Sequence, residues 1–432
     1  MTKSLKPLEG LRVLDLTTWW AGPMATMILA DMGAEVIKVE AIQRLDAWRA
    51  TLSDFGQKTW WETSPLFNSV QRNKLGITLQ LTDPRGVDLF KQLVAKSDFV
   101  FENFSRRVMP QFGLTYDVLR EINPRLIMVS QTGFGQDGPW ADYISFAHVA
   151  ESLTGIANLT GQADGPPCIS GQMLGDTLSG AHAAYASLLA LQELRQTGVG
   201  QHIDLSQLEV NLPPVAEALA DQQMNDRTWS RIGNRHPHMA PHGCYPTDVE
   251  DCWMVIAITS DEHWGTLSEI LKNDTSHSTI SGKGDHWVDN PALKELAGRK
   301  ENEDQIDSEI ANWTKQWTRD ELVALLRKAG IPVAPVLSPS QMLTDPHLKA
   351  RNFFQDVDRE HVGTQPYHSS PIRFSKIRTD IEHPAPTLGQ HTDEVLKSIL
   401  GLSDAELAEL EKAQIIGTIP AAVLDSNQDS AD

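Results

Sequence analysis

The stretch Gly175-Asp176-Thr177-Leu178-Ser179-Gly180 sets one carboxylate between a glycine and a long apolar run, Ala181 to Leu191. That run reads as a helix, which makes Asp176 its N-cap: an Asp side chain there accepts a bond from a helix N–H, worth ~1 kcal/mol. The same position suits a nucleophile. Aligned backbone dipoles at a helix N-terminus keep a carboxylate ionised, and glycine has no side chain to keep an acyl carbonyl away. On this stretch alone the cap is the better reading, because caps are common and nucleophilic carboxylates rare.

Other chemistry-bearing residues are sparse. Cys168, Cys244 and Cys252 are odd in number and lack zinc spacing, so the chain reads as a protein of a reducing cytoplasm without a disulfide framework. Cys168 reads as a small buried hydrophobe. His236 and His238 lie near Cys244, but His-x-His without paired cysteines is a weak metal signal. A structural or substrate-lining role suits them better, and no metal site is expected. A GxxxxGK[ST] phosphate loop and a G-x-S-x-G elbow are both missing from the sequence.

These residues need elements to hold them. Leu11 to Thr17 (LRVLDLT) is a buried-strand run. Trp19 to Pro23 reads as a loop, and Met24 to Met32 as a helix stopped by Gly33. Glu35 to Glu40 (EVIKVE) is the next strand. Strand, helix and strand in this succession make a βαβ unit and so a parallel sheet. Asp83-Pro84 opens a further helix with a cap and an N1 proline, its inner stripe being Val87, Phe90, Leu93 and Val94. Asp98 to Phe101 and Leu126 to Ser130 are short buried strands. The helix after Asp176 runs to about Arg195, and Ile203 to Leu205 resumes the sheet. A parallel sheet invites a dinucleotide. The first strand-to-helix turn, TTWWAGP, nevertheless lacks the glycine spacing that brings a pyrophosphate to a helix N-terminus.

With 432 residues, 41% hydrophobic and 22% charged, the chain can bury a large core in two or more domains. A net charge of −20 without basic clusters argues against nucleic acid as a partner. No apolar run approaches the ~20 residues that span a bilayer, so no membrane role is expected. The start, MTKSLKPLEG, lacks the apolar core of a signal peptide. Near residue 225 the pattern changes: Gly233, Pro237, Pro241, Gly243 and Pro246 precede a strand-like Trp253 to Ile258, and a second, smaller domain is expected up to about 330. Leu322 to Lys328, Thr392 to Leu400 and Asp404 to Lys412 read as helices. The tail, 417–432, is polar apart from a few small apolar residues and is expected to be mobile.

Ten segments carry a resemblance. They are PLEGLRVLDLT, AGP followed by LADMGAEVIKVE, RNKLGITLQL, ENF, INPRLIMVSQTGFGQDGP, GDTLSGAHAAYASLLALQELRQTGVGQHIDLS, RIGNRHPHMAPHGCYP, LLRKAGIPVAPVLSP, DPHLKARNFF and PTLGQHTDEVLKSILGL. Each alone is modest. As an ordered set over nearly the whole chain they resemble the class III CoA-transferase family, which includes formyl-CoA, carnitine and bile-acid CoA-transferases. The resemblance implies an α/β fold with a Rossmann-like parallel-sheet large domain built from both chain ends, 1–224 and 336–416. It implies a smaller α+β domain inserted at 225–335, and two subunits interlocked as a dimer. It sets Asp176 at the family's catalytic aspartate, which attacks a donor acyl-CoA and passes through a mixed anhydride and an aspartyl-CoA thioester. CoA is then a substrate and not a resident cofactor, and the partners are an acyl-CoA and a carboxylic acid. Covalent catalysis of this kind divides one hard acyl exchange into easier steps.

The resemblance also marks CoA-facing positions. Asn103 matches the ENF asparagine, with a loop-capping role equally open. Val70, Gln71 and Arg72 lie on the segment that lines the CoA crevice, and Arg72 is placed to reach a phosphate, although a lone Arg is as often solvated. Arg44 stands where members place a basic residue near the nucleotide, with Lys74 a weaker candidate. Trp20 replaces the Gln of the formyl-CoA member, which argues against formyl and oxalate chemistry. Gln111 and Thr132 stand where an Arg and a Lys occur in relatives, and HPHMA (236–240) replaces a glycine-rich loop; these point to redistributed CoA contacts and a different acceptor. Trp19, Trp20, Trp48, Trp60 and Trp61 either line a pocket for a bulky or aromatic acid or serve as core and dimer contacts. Acyl-CoA racemases share the fold. Their α-carbon proton shuttle needs a His that falls at Phe146, so His148 would have to substitute. The active half of a two-subunit transferase is a further reading, and a pure binding module the remotest.

Overall fold

The computed structural model describes residues 6–274 and 286–429. The readings of the first five residues, of 275–285 within the second domain and of the last three tail residues lie outside them. Two compact units form, one from 1–157, 169–228 and 346–432, the other from 158–168 and 229–345.

The first unit is built on β1 (Arg12–Asp15), α1 (Ala21–Asp31), β2 (Glu35–Glu40), β3 (Lys74–Thr78), α2 (Pro84–Val94), β4 (Phe99–Glu102), β5 (Ile127–Thr132), α3 (Ala147–Leu153), α4 (Leu174–Thr197), β6 (His202–Ser206) and α5 (Gln207–Val210). Its six strands are all parallel, in the order β3-β2-β1-β4-β5-β6. Alternate side chains of one strand serve opposite faces. Leu14, Ile37, Val100 and Met128 meet Phe90, Leu93 and Val94 of α2. Their neighbours Val13, Val36, Phe99, Ile127 and Val129 meet Ala25 and Leu29 of α1 and Ala183 and Leu191 of α4. Coverage on both faces is why these strands read as unbroken apolar runs. α1 and α4 approach closely because Gly180 has no side chain; a Cβ there would lie 2.8 Å from the Ala21 carbonyl oxygen. The strand order reverses between β1 and β4, and in such sheets ligands bind in the crevice outside the carboxyl ends at that point.

The second unit carries an antiparallel sheet of β7 (His242–Pro246), β8 (Trp253–Ala257) and β9 (Val333–Pro335). Met254 and Ile256 pack with Trp264, Ile306, Ile310, Leu322 and Leu326 of its helices. The 158–168 segment joins this unit ahead of the expected break at 225: the Arg231 guanidinium donates to the carbonyls of Asn158 (2.9 Å) and Gly165 (3.1 Å). Cys168, on that segment, is exposed, against the expectation of burial. The His236 ring lies 6.1 Å from that of His238 and 5.4 Å from that of His242. Among the described residues no cluster of three or more His, Cys, Asp or Glu is arranged to hold a metal ion, and no helix is long and apolar enough to cross a membrane. Back in the first unit, β10 (Phe354–Arg359) and β11 (Gly363–His368) form a hairpin.

Several elements differ from expectation. β3 was not anticipated, because Lys74 and Gly76 break its apolar run. α1 starts at Ala21 and absorbs Gly22 and Pro23, a first turn where proline costs nothing. The segment from Thr392 is an α-turn that widens into a π-turn over Leu396–Leu400. The tail is a structured element as far as its side chains are described. Ala421–Asp429 is helical, and Ala421, Val423 and Leu424 pack on Ile42, Trp61 and Leu388. Gly417 ahead of it donates to Thr78 Oγ1 at 2.9 Å.

Candidate active site

A cavity of about 570 Å³ opens at the carboxyl ends of β1, β4, β5 and β6 and takes in the start of α4. Asp176, Gln207, Gln131, Asn103 and His148 all contribute to its wall.

Asp176 reaches it from the first turn of α4, yet not as the cap. The cap residue is Met173, held left-handed at φ 48°, and the Asp176 N–H bonds back to the Met173 carbonyl at 3.0 Å. Glu151, fully buried on α3, does the capping. Its Oε1 accepts the Leu174 N–H at 2.9 Å, and its two oxygens accept the Ser170 N–H at 2.9 Å and the Ser170 hydroxyl at 3.0 Å. An external carboxylate thus satisfies a helix N–H that would otherwise lack a partner, and the Asp176 side chain is left for the cavity. Its Oδ1 accepts a hydrogen bond from Gln207 Nε2 at 2.5 Å. Gln207 opens α5 directly after β6, and Asn211 Nδ2 donates to its carbonyl at 2.7 Å. Gly175 serves this arrangement. A Cβ there would lie 2.9 Å from Asn211 Nδ2, so the missing side chain makes room for Asn211.

Burial raises the Asp176 carboxyl to about 6; the Gln207 bond and His148 pull it down, and the charge of Glu151 pushes it further up. Desolvation is the largest of these effects, and the group is still ionised near neutrality. A carboxyl shifted this way in a cleft marks a candidate functional group.

The β1–α1 turn forms another wall and is clamped from three sides. The Thr18 N–H donates to Asn103 Oδ1, and Asn103 Nδ2 returns a bond to the Thr18 carbonyl, both at 2.8 Å. The Trp19 N–H donates to Asp46 Oδ1 at 3.1 Å, and Lys38 Nζ donates to the Thr17 carbonyl. Trp19, held at φ 65°, meets Phe146 edge-on at 5.4 Å.

The other expected residues separate clearly. Asn103 and exposed Arg44 line the cavity. Trp20 instead packs on Trp48 at 5.2 Å, beside Met27, Phe67 and Val70. Val70 and Gln71 are buried, and Gln71 Oε1 accepts from Lys74 Nζ at 2.7 Å. Arg72 is spent on Asp31 (2.8 Å) and Lys74 on Asp15 (2.9 Å), so each guanidinium or ammonium already has its anion inside the fold. Of the tryptophans, Trp19 and Trp48 line the cavity, whereas Trp60 and Trp61 pack with Ile42 and Leu388. Gln207, Glu151 and Gln131 escaped the sequence reading. A glutamine after a strand carries no signal; an acid inside the small apolar run AHVAESL carries a faint one.

The sequence pattern of CoA-transferase family III matches residues 8–392. The chain is 33% identical over 418 residues to a succinyl-CoA–D-citramalate CoA-transferase of Chloroflexus aurantiacus, covering 95% of this chain and 98% of the relative. It is 32% identical to a succinate–glutarate CoA-transferase of Agrobacterium fabrum, covering 91% and 96%. A solved structure of a CAIB/BAIF family protein from Brucella suis superposes with a TM-score of 0.81 at 30% identity, covering 92% of this chain and 100% of that one. Since the match starts ahead of β1 and continues past β11, sheet, crevice and helix start all fall within it, and the chain belongs to CoA-transferase family III.

Proposed function

We propose that the chain moves CoA from an acyl-CoA to a free carboxylic acid, with Asp176 as nucleophile. A carboxylate oxygen attacks the thioester carbonyl, the C–S bond breaks, and CoA leaves as a thiolate from an acyl-aspartyl anhydride. The thiolate attacks the aspartyl carbonyl of that anhydride, freeing the donor acid and leaving an aspartyl-CoA thioester. The acceptor carboxylate attacks this thioester and expels the thiolate again. Attack of the thiolate on the acceptor's acyl carbon yields the new acyl-CoA and regenerates Asp176. One thioester is spent and one made. The Gln207 N–H already points at an Asp176 oxygen and can follow it as charge builds on the aspartyl carbonyl.

One observation carries the reading: a half-buried carboxyl raised to about 6, held by a neutral donor and with no salt-bridge partner among the described residues, faces the cavity. Both relatives named above are described by succinate or succinyl-CoA, so a short dicarboxylyl-CoA is the donor we infer. We also infer a dimer, because α4 leaves Tyr185, Leu188 and Leu189 exposed. The test is to mix the protein with succinyl-CoA, quench with hydroxylamine and map the modification by mass spectrometry. A hydroxamate at Asp176, missing from Asp176→Asn, is expected; wild-type transfer rates in Asp176→Asn would sink the assignment. A second reading has one observation behind it. His148 lines the same cavity, so the pair could shuttle a proton at the α-carbon. Deuterium wash-in at that carbon without CoA exchange between acids would select it.

A further inference from the structure

We infer that Gln131 and Thr132 form a recognition site for a hydroxyl-bearing acid, which makes a short hydroxycarboxylate one of the two exchanging acids. This rests on the transfer reading above for its setting, but not on the identity of the nucleophile.

Gln131 and Thr132 close β5 at its carboxyl end and lie on the cavity wall with Asp176. They are 4% and 6% exposed. The side-chain amide of Gln131 has no hydrogen-bond partner at either its nitrogen or its oxygen among the described residues, and neither does Thr132 Oγ1. Gln71 shows what the fold does with a glutamine it uses structurally. It is equally buried, and its Oε1 accepts from Lys74 at 2.7 Å while its Nε2 donates to Asp46 at 3.4 Å. Buried polar groups in native folds are nearly always satisfied, so adjacent exceptions on one cavity wall call for an explanation.

The donor and acceptor pattern narrows the ligand. An amide offers two N–H donors and one acceptor in a plane; a threonine hydroxyl adds a further donor. An apolar acyl chain answers none of these. A bare carboxylate has acceptors only, so it meets Nε2 and Oγ1 but faces Oε1 with like charge. A hydroxyl beside a carboxyl completes the set: the carboxyl oxygens accept from Nε2 and Oγ1, and the hydroxyl donates to Oε1. An amide of the CoA arm would answer Gln131 and leave Thr132 without a partner. Sites built to bond a hydroxyl reject the analogue that lacks it, because the site's own polar groups are then stranded.

The experiment compares malate with succinate, two acids that differ by one hydroxyl, as acceptors from a labelled acyl-CoA, in wild type and Gln131→Leu. Wild type is expected to favour malate in kcat/KM by about 10- to 100-fold, and Gln131→Leu to bring the ratio to about one. The variant should melt no lower than wild type, since leucine removes a stranded amide, whereas a structural glutamine would cost stability. Malate and succinate binding is also measured in Asp176→Asn through the fluorescence of Trp19 and Trp48, where the hydroxyl preference should persist. Failure of the nucleophile reading then shows in turnover, and failure of this one in binding. An unchanged malate-to-succinate ratio in Gln131→Leu overturns the inference. So does an equal loss for both acids with weaker binding of free CoA, which would assign the amide to the CoA arm.

Discussion

Two polar regions, one fully buried and one half-buried, lie toward the carboxyl end of the same sheet, and they treat charge in opposite ways. Under β1 to β3, anion meets cation throughout. Asp15 pairs with Lys74 at 2.9 Å, Lys38 with Asp46 at 3.1 Å, and Arg49 with Glu40 and Glu62, each at 2.9 Å; Glu62 also takes Arg359 at 2.6 Å. Burial alone would push the Asp15 carboxyl up, but Lys74 and Lys38 outweigh it and hold it below the ordinary range. Around Asp176 the neighbours are a neutral amide, a second carboxylate and His148, none of them an ion pair, and desolvation prevails: the carboxyl rises to about 6. Glu102, at the end of β4, likewise has a hydroxyl and an N–H for company and rises to about 7. The more exposed of the two aspartates is the one whose carboxyl rises, so the neighbours, and not the depth of burial, separate structure from chemistry here. Paired charges hold the floor, and the carboxyl of Asp176, left without an ion pair, is the one that faces the cavity.

Exchanging the two aspartates for asparagine tests this contrast where the effects are largest. Asp176→Asn should lower transfer by at least about 10³-fold, as expected when a covalent nucleophile is lost. It should melt no lower than wild type. The folded-state pKa of Asp176 lies above the ordinary carboxylate value of about 3.8, so its ionisation works against the fold as pH rises from about 4 through about 6, and asparagine removes that cost. Asp15→Asn should do the reverse. It strands Lys74 and Lys38 in the interior, and removing one partner of a buried pair costs about 3–5 kcal/mol. Because the Asp15 pKa is lowered, the stability it supplies is present above about 4 and is lost as pH falls. Urea unfolding at pH 7 measures both. An Asp15→Asn protein as stable as wild type would erase the distinction between the regions.

From the sequence the two aspartates look alike, each a lone acid at the edge of an apolar run, and that marks where legibility ends. β1, α1, β2 and β5 are readable because parallel strands covered on both faces spell continuous apolar runs, and because a glycine follows the helix. Arg72 and Lys74 are read as phosphate ligands because their anions lie 41 and 59 residues upstream, beyond any local pattern. The start of α4 is misplaced for a similar reason. A non-glycine residue at φ 48° and a capping carboxylate 23 residues upstream leave no local mark, so Asp176 takes the cap's place in the reading while Glu151 holds it in the fold. Asp176 itself is legible through the ordered motif set, not through its helix position.

Glu151 offers a smaller test, because it plays both kinds of role: a structural cap and a like charge beside the reacting group. The pH profile of kcat/KM should fall with unit slope below about 6, as Asp176 takes up a proton in the free enzyme. Glu151→Gln should move that limb to lower pH by removing the neighbouring charge. It should also cost about 1–3 kcal/mol, since one amide oxygen cannot replace two carboxylate oxygens for the Ser170 and Leu174 donors. Stability loss with an unmoved limb would make Glu151 a cap alone.

The smallest expected effect separates two accounts of Gly175. If the glycine exists to let an acyl group approach, Gly175→Ala harms turnover whatever its neighbours are. The fold argues otherwise. The new Cβ, 2.9 Å from Asn211 Nδ2, must displace the side chain that donates to the Gln207 carbonyl, and with it the residue that bonds Asp176. Overpacking of this kind costs about 1–3 kcal/mol, partly offset by the helix preference for alanine, about 1 kcal/mol. Asn211→Ala makes room for the added methyl at the expense of one hydrogen bond. In the double variant the two losses should therefore fall short of their sum, in melting temperature and in kcat alike, because residues in contact couple. Strict additivity in kcat would return Gly175 to the substrate's side of the helix and leave Asn211 as packing.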